Sequence, residues 1–375
     1  MVDVNIKTKS KLEYIEIVVD AYPYPVNYKG QYHIRSGATK QELRGASLDK
    51  FILQKQGKHW DSVPHPLLKL RDLSKPAIQY FKKKAIDSGR ITADDLKDNL
   101  EMLLWKLQLK ADAHYYKNAA VLLFHPNPEV LLPGAFIKIG FFLSDDELVF
   151  QDTIHGHLFE QVERTMALLL SKYLKATITY KGLNRMEKYP MPVAALREAV
   201  LNAIVHKDYA SQIPVQISVY ADKLIIWNEG QFPDDWTIEN LKSKHPSRPY
   251  NPAIANVFFR AGLIEAWGRG TINILNECKL AKISQPIFKY EFSGFIVEFR
   301  YNFQSILQKG KNAEADKTID KVLIVISHNE TITISELAKK IGVAQITIKR
   351  AISELRQLNK LQREGSSKTG KWKVI

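Results

Sequence analysis

Glu198, Asn202 and His206 stand four residues apart within Arg197-Glu198-Ala199-Val200-Leu201-Asn202-Ala203-Ile204-Val205-His206-Lys207-Asp208-Tyr209. On a helix, that spacing puts a carboxylate, a carboxamide and an imidazole on one face. Leu196, Ala199, Val200, Ala203 and Ile204 then take the apolar side. Such a polar line on a mostly apolar helix reads as a site rather than a surface. The plainer reading is a core helix whose polar side chains bond to nearby backbone. Two roles stay open for His206: orienting a phosphate or water, or capping the helix end, where an imidazolium suits the dipole. Lys207 and Asp208 read as a solvated helix end.

A second signal lies downstream. Glu265-Ala266-Trp267-Gly268-Arg269-Gly270-Thr271 opens a helix with a Gly-x-Gly turn, and backbone amides at such a start can hold phosphates. Trp267 is expected beneath the Gly268 turn. The chain has no Gly-x-x-x-x-Gly-Lys-Ser/Thr, which argues against a P-loop motor. His125, His155 and His157 lack a metal-ligand set and read as ordinary loop or core residues. The single cysteine, Cys278, excludes an internal disulfide framework.

The elements that would position these groups follow from periodicity and turn signals. A helix is expected from Pro192 to about Lys207, then an antiparallel pair, Ile213–Tyr220 and Lys223–Asn228, around Ala221-Asp222. Helices fit Pro252–Ala261 and Gly270–Lys279, and strands fit Ile287–Phe292 and Phe295–Tyr301. Before the site, strands are expected near Glu13–Val19, Gly30–Gly37, Ala119–Phe124, Ala135–Leu143, Leu148–Asp152 and Thr177–Tyr180. Helices are expected over Ala38–Lys55, over Thr92–Lys110 with a capping Thr92, and over Gly156–Leu174. Trp60–Pro66 reads as a linker.

The chain has 375 residues, room for two or three domains, and no apolar run of membrane-spanning length or secretory leader. A cytoplasmic setting is the default expectation. Its net charge is +14. From Gln304 onward fourteen basic residues face seven acidic ones, so half of the excess sits in the last fifth. Basic excess favours a polyanion, nucleic acid foremost.

That last fifth carries its own pattern. Gln304–Asp316 is polar and reads as a linker. A helix over Lys317–Ser327 is followed by Ser335–Ile341, a turn at Gly342, Ala344–Leu358 and a hairpin. This arrangement resembles a winged helix-turn-helix. Ser335 is expected to cap the first helix of the motif. Leu337, Ala338, Ile341, Val343, Ile348, Ile352 and Leu355 are its expected core. Gln345, Thr347, Lys349 and Arg350 are left free near the start of the recognition helix, and Arg363, Lys368 and Lys371 lie on the wing. A winged helix used for protein contacts is the alternative.

The Glu198/Asn202 segment is similar to the N-box of the GHKL superfamily of gyrase-, Hsp90- and histidine-kinase-type ATPases. That resemblance makes Glu198 the water-activating residue and Asn202 the magnesium ligand. It also places Asn228 and Gly230 of Asn228-Glu229-Gly230 at the adenine-binding loop, with Asn in place of the family's Asp and without its second glycine. Over about Lys11–Tyr301 the chain resembles bacterial Schlafen-AlbA-like transcriptional regulators with a RecG helicase-related C-terminal region. The resemblance rests on the N-box string, Asn228-x-Gly230, Asn251-Pro252 and Glu265-x-x-Gly268-x-Gly270. Tyr32-His33-Ile34-Arg35-Ser36-Gly37 resembles the later part of an AlbA-like domain, expected here to be partial.

The resulting expectation is an α/β chain with an α+β sandwich of GHKL/Bergerat type. Its domains are a partial AlbA-like domain at 1–75, a central region at 76–303, a linker at 304–316 and a winged helix at 317–375. The function implied is DNA-binding transcriptional regulation, with ATP and Mg²⁺, or a related ligand, sensed at Glu198, Asn202, His206, Asn228, Gly230, Gly268 and Gly270. The partners implied are double-stranded DNA and a second copy. The alternatives are an ATP-hydrolysing enzyme acting on DNA and an inactive dimerisation scaffold.

Overall fold

The computed structural model describes every residue except 1, 11, 20–23, 175, 182–183, 234–235, 302–314, 366–369 and 375. The chain opens with a ribbon, β1 (Val2–Lys9) paired with β2 (Leu12–Val19). A three-stranded meander follows: β3 (Asn27–Tyr28), β4 (Gln31–Ser36) and β5 (Thr39–Leu43). Next come α1 (Ala46–Lys55), β6 (Pro64–His65), α2 (Lys75–Asp87), α3 (Leu100–Lys106), β7 (Tyr116–Lys117) and α4 (Asn118–Phe124). Then β8 (Ile137–Phe142), β9 (Leu148–Ile154), α5 (Leu158–Leu168), the hairpin β10 (Thr177–Lys181) and β11 (Asn184–Lys188), and α6 (Val193–His206). The site region ends with β12 (Val215–Val219), β13 (Lys223–Glu229), α7 (Pro252–Arg260), α8 (Gly270–Leu280), β14 (Ile287–Glu291) and β15 (Gly294–Arg300).

Six of these strands make a mixed sheet in the order β14-β15-β13-β12-β8-β9. β8 and β12 run parallel and the remaining neighbours antiparallel. Alternation decides which way it faces. Val215, Ile217 and Val219 on β12, and Leu224, Ile226 and Asn228 on β13, are buried. Their neighbours in sequence are more exposed, as expected of a sheet covered on one side. α6 packs against β13, α5 beside β9, and α7 and α8 against α6. Phe81, Phe124, Phe159 and Phe258 join α2, α4, α5 and α7, with successive ring centroids 5.5–6.0 Å apart. This is the α+β arrangement anticipated from the strand and helix patterns.

Four local expectations are corrected. Ala119–Phe124 is helical: every residue of α4 is buried, so no polar face marks its period and the apolar run reads like a strand. Thr39–Leu43 is a strand that pairs with β4, and the helix begins only after Gly45 at φ +53°. Thr92 does cap, but it bonds Asp95 in an isolated turn; the helix starts at Leu100, with Asn99 accepting from the Met102 amide at 2.8 Å. Trp60–Pro66 is no linker, because Asp61 is fully buried within it.

Two compact units emerge: Met1–Leu174 with Met191–Tyr301, and Lys175–Pro190 with Asn302–Ile375. In the second, helices Ala315–His328, Ile334–Ile341 and Gln345–Gln357 are followed by strands Leu361–Glu364 and Lys371–Val374, paired antiparallel. The cap of the middle helix is Thr333, not Ser335. Thr333 accepts from the Glu336 amide at 3.3 Å, and Glu336 accepts from the Thr333 amide at 2.9 Å. Gly342 takes the left-handed conformation that turns the chain, φ +79°. Leu337, Ala338, Ile348, Ile352 and Leu355 are buried together, with Ile341 and Val343 packed against them. Trp372 docks the strand pair on these helices, donating from Nε1 to the Ile332 carbonyl at 3.1 Å. Of the expected linker, 304–314 lies outside the described residues, as does Lys368. No helix among the described residues is long and apolar enough to cross a membrane.

Candidate functional site

α6 starts at Pro192, whose extended backbone precedes the first helical residue. Its Ala-rich apolar face, including Ala195, Leu196, Ala199 and Ala203, is buried. Glu198, Asn202 and His206 line a cavity of about 960 Å³, together with Ala199 and Ala203. The end of the helix is fastened. Asn251, wholly buried, donates from Nδ2 to the Val205 carbonyl at 2.8 Å and the Lys207 carbonyl at 2.7 Å. Tyr209 donates to the Ile204 carbonyl at 3.1 Å. Those carbonyls would otherwise be left without partners at the helix terminus.

The same Asn251 precedes α7, whose first turn is tied from another direction. The buried Asp61 carboxylate accepts from the Ala253 amide at 2.7 Å and the Ile254 amide at 3.1 Å. Burial raises the Asp61 pKa, against the pull of those amides. The α6 end and the α7 start are thus held as one corner beside the cavity.

Gly268 and Gly270 bring a loop and the start of α8 onto this face. Gly268 sits at φ +63°, and a Cβ there would collide with the His245 carbonyl and stand 2.9 Å from the Pro246 carbonyl carbon. A Cβ on Gly270 would collide with Glu198 Oε1 and stand 2.9 Å from Asn202 Nδ2. The opening of α8 has no side-chain cap, and Gly268, Gly270 and Thr271 line the cavity. Gly230 makes the equivalent close approach at the other end, where a Cβ would lie 2.6 Å from the His206 carbonyl. Asn228 is buried on β13 and lines the cavity; its Nδ2 donates to the Glu229 carbonyl at 3.3 Å.

Burial raises the Glu198 pKa, Glu265 raises it further, and the adjoining Arg197 partly opposes both. Glu265 is itself held by Arg90 at 2.8 Å, and Arg90 also donates to the Phe259 and Ile264 carbonyls. Burial, with repulsion from His245, pushes the His206 imidazole down to about 4. It is neutral at pH 7, so the imidazolium cap considered from sequence is not its role; Asn251 serves the carbonyls there. His245 reaches Thr271 Oγ1 at 3.3 Å and stands edge-on to Trp236 at 4.7 Å.

Lys207 and Asp208 are not a solvated end. They are 1% and 6% exposed. Lys207 donates to the Asp208 carbonyl at 3.1 Å and lies 4.5 Å over the Tyr209 ring, and burial pulls its amine down to about 8. Asp208 accepts from Lys50 at 2.7 Å and from Tyr250 at 3.0 Å. Beside Asp208, Lys50 on α1, His245 and Tyr250 also line the cavity and went unseen in the sequence. They lie up to 200 residues apart, and none repeats at a helix or strand period. Trp267 is also corrected: it is 77% exposed, because the Gly268 turn packs on residues 245–246 instead.

In the C-terminal unit Gln345, Thr347, Lys349, Arg350 and Lys371 are exposed. Arg363 is partly buried, its guanidinium 4.5 Å from the Trp372 ring. His157 caps α5 and His155 pairs with Glu129 at 2.7 Å.

Residues 213–299 match a protein-family model described as "Putative ATP-dependent DNA helicase recG C-terminal". That span runs from β12 to β15 and includes Asn228, Gly230, Gly268 and Gly270, while Glu198 and Asn202 precede it. The match makes that span similar to an ATPase-like region. No curated protein matches the chain. The fold is similar to that of the DIP2311 protein from Corynebacterium diphtheriae, known from its crystal structure. The TM-score is 0.54 at 18% identity, over 100% of this chain and 76% of that one. At that identity the likeness concerns the fold alone.

Proposed function

We propose that this chain is a DNA-binding transcriptional regulator whose central cavity binds ATP or a related nucleotide as a sensor. The observation that carries the nucleotide reading is the meeting of Glu198, Asn202 and Gly270 at the wall of one cavity. Its volume of about 960 Å³ lies within the range of small-molecule sites. The ATPase-like family match over 213–299 supports the same ligand class.

The parts divide as follows. Free amides at the start of α8 receive a phosphate group. Asn228, with both a carbonyl and an amide group, faces the nucleobase end. The carboxylate of Glu198 and the carboxamide oxygen of Asn202 suit Mg²⁺, a cation that prefers hard oxygen donors and commonly shares phosphates as ligands. Neutral His206 orients water or phosphate by hydrogen bonding without adding charge. Three helices and a strand pair form a winged helix that presents Gln345, Thr347, Lys349 and Arg350 to a major groove, with Arg363 and Lys371 toward the backbone. Two copies would match a two-fold operator.

A second reading is nucleotide hydrolysis. The raised Glu198 pKa favours it, since a general base works best poised near the operating pH. Calorimetry with ATP, GTP and ADP, each with and without Mg²⁺, tests the site. Saturable heat with at least one nucleotide is expected. Absence of heat with all three overturns the sensor and leaves the dimerisation scaffold.

A further inference from the structure

β1 and β2 pair along their full lengths, with Val4 opposite Ile17 and Ile6 opposite Ile15. Side chains alternate between faces along a strand. Val4, Ile6, Ile15, Ile17 and Val19 therefore share one face of the ribbon. Asp3, Asn5, Lys7, Leu12, Tyr14, Glu16 and Val18 take the other, where Lys7 and Glu16 form an ion pair at 2.6 Å. The apolar face is uncovered: Val4 is 62% exposed, Ile6 73%, Ile15 67%, Ile17 62% and Val19 65%.

A two-stranded ribbon is marginal in water by itself, and this one forms a sheet of two strands only. We propose that its apolar face is the contact between two copies of this chain. Area is the first argument. The five side chains expose roughly 600 Å² per copy, so two faces in contact would bury about 1,200 Å², the lower edge of stable specific interfaces. A single exposed patch of that size is at the top of what monomers carry. The second argument is the kind of surface. Apart from Thr8 and Glu13 near the ribbon's turn the face is aliphatic, so a charged partner finds little to pair with. A second identical face is complementary to it under two-fold symmetry. No ribbon residue lines the cavity, and none belongs to the C-terminal unit, so this inference does not depend on the nucleotide or DNA readings.

Sedimentation equilibrium of the full chain over a wide concentration range tests it. The native chain should associate to a dimer. Ile6→Lys with Ile17→Lys should weaken association at least about 100-fold, while Tyr14→Lys on the opposite face leaves it unchanged. An Ile15→Cys variant gives a second readout that keeps the ribbon apolar. Cys278 is buried, so mild oxidation should join two copies through position 15, whereas Tyr14→Cys should not. A native chain that stays monomeric, open-ended aggregation, flotation of the monomer with lipid vesicles, or a double lysine variant that dimerises normally would each overturn the proposal.

Discussion

Gly270 lies directly against Glu198: a side chain at position 270 would overlap the Glu198 carboxylate and crowd both terminal atoms of Asn202. The glycine is small because two functional groups occupy the space of its missing Cβ. Gly270→Ala must push α8 or the Glu198/Asn202 pair aside, an overpacking cost of about 1–3 kcal/mol. Nucleotide affinity measured by calorimetry should fall about tenfold or more. An unchanged affinity would show that the pair and the start of α8 do not form the ligand's wall.

Glu198→Gln separates two roles. If Glu198 activates water, Mg²⁺-dependent phosphate release disappears while nucleotide binding survives. The variant also reports on burial. A carboxyl whose folded pKa is raised contributes stability below its unfolded pKa and loses that contribution as pH rises through the folded one. At pH 7, above the unfolded pKa, keeping this buried carboxyl is therefore a cost. Glu198→Gln should raise the unfolding midpoint at pH 7, and the gain should vanish in acid. A midpoint that falls at pH 7 would contradict the burial argument.

Lys207 titrates in the opposite sense. Its folded pKa, pulled down to about 8, lies below that of an unfolded lysine. Its contribution is complete above the unfolded pKa and is lost as pH falls through about 8. Urea unfolding between pH 7.5 and 9.5 should show stability rising with pH from this residue. Lys207→Met should flatten that rise.

The corner between α6 and α7 rests on Asp61 and Asn251. Asp61→Ala leaves two buried amides without an acceptor, which should cost about 2–3 kcal/mol in chemical denaturation. Asn251→Ala frees two carbonyls at the end of α6 and should cost a similar amount. Both changes should weaken nucleotide binding through His206 and Asn202, although neither Asp61 nor Asn251 lines the cavity.

The DNA reading turns on Lys349 and Arg350, both exposed on the third C-terminal helix. Replacing both by Ala should weaken binding in mobility-shift titrations. If each contacts one phosphate, the slope of log affinity against log salt should drop by about 0.9 per residue. Retained affinity with an unaltered slope would remove this helix from the DNA interface.

What was legible in advance was local. The Glu198/Asn202/His206 face needed only a four-residue period and an Ala-rich helix, and it lines the cavity as the spacing requires. The antiparallel pair around Ala221-Asp222 and the buried C-terminal cluster were readable for the same reason: alternation and amphipathic spacing report burial on one side. α4 was misread because burial on every side erases that periodic signal.

The sequence by itself determined the residue types, their spacing on α6 and the basic charge of the last fifth. Only the tertiary structure decided which groups share the cavity. It brought Lys50 and Tyr250 to Asp208, Asp61 to the start of α7, and Gly270 against Glu198. It also decided protonation, since His206 is neutral and Lys207 lowered because of what is packed around them. The physical reason is range. Helix and strand periods arise from bonds within a few residues, whereas desolvation and contact depend on atoms delivered from anywhere in the chain.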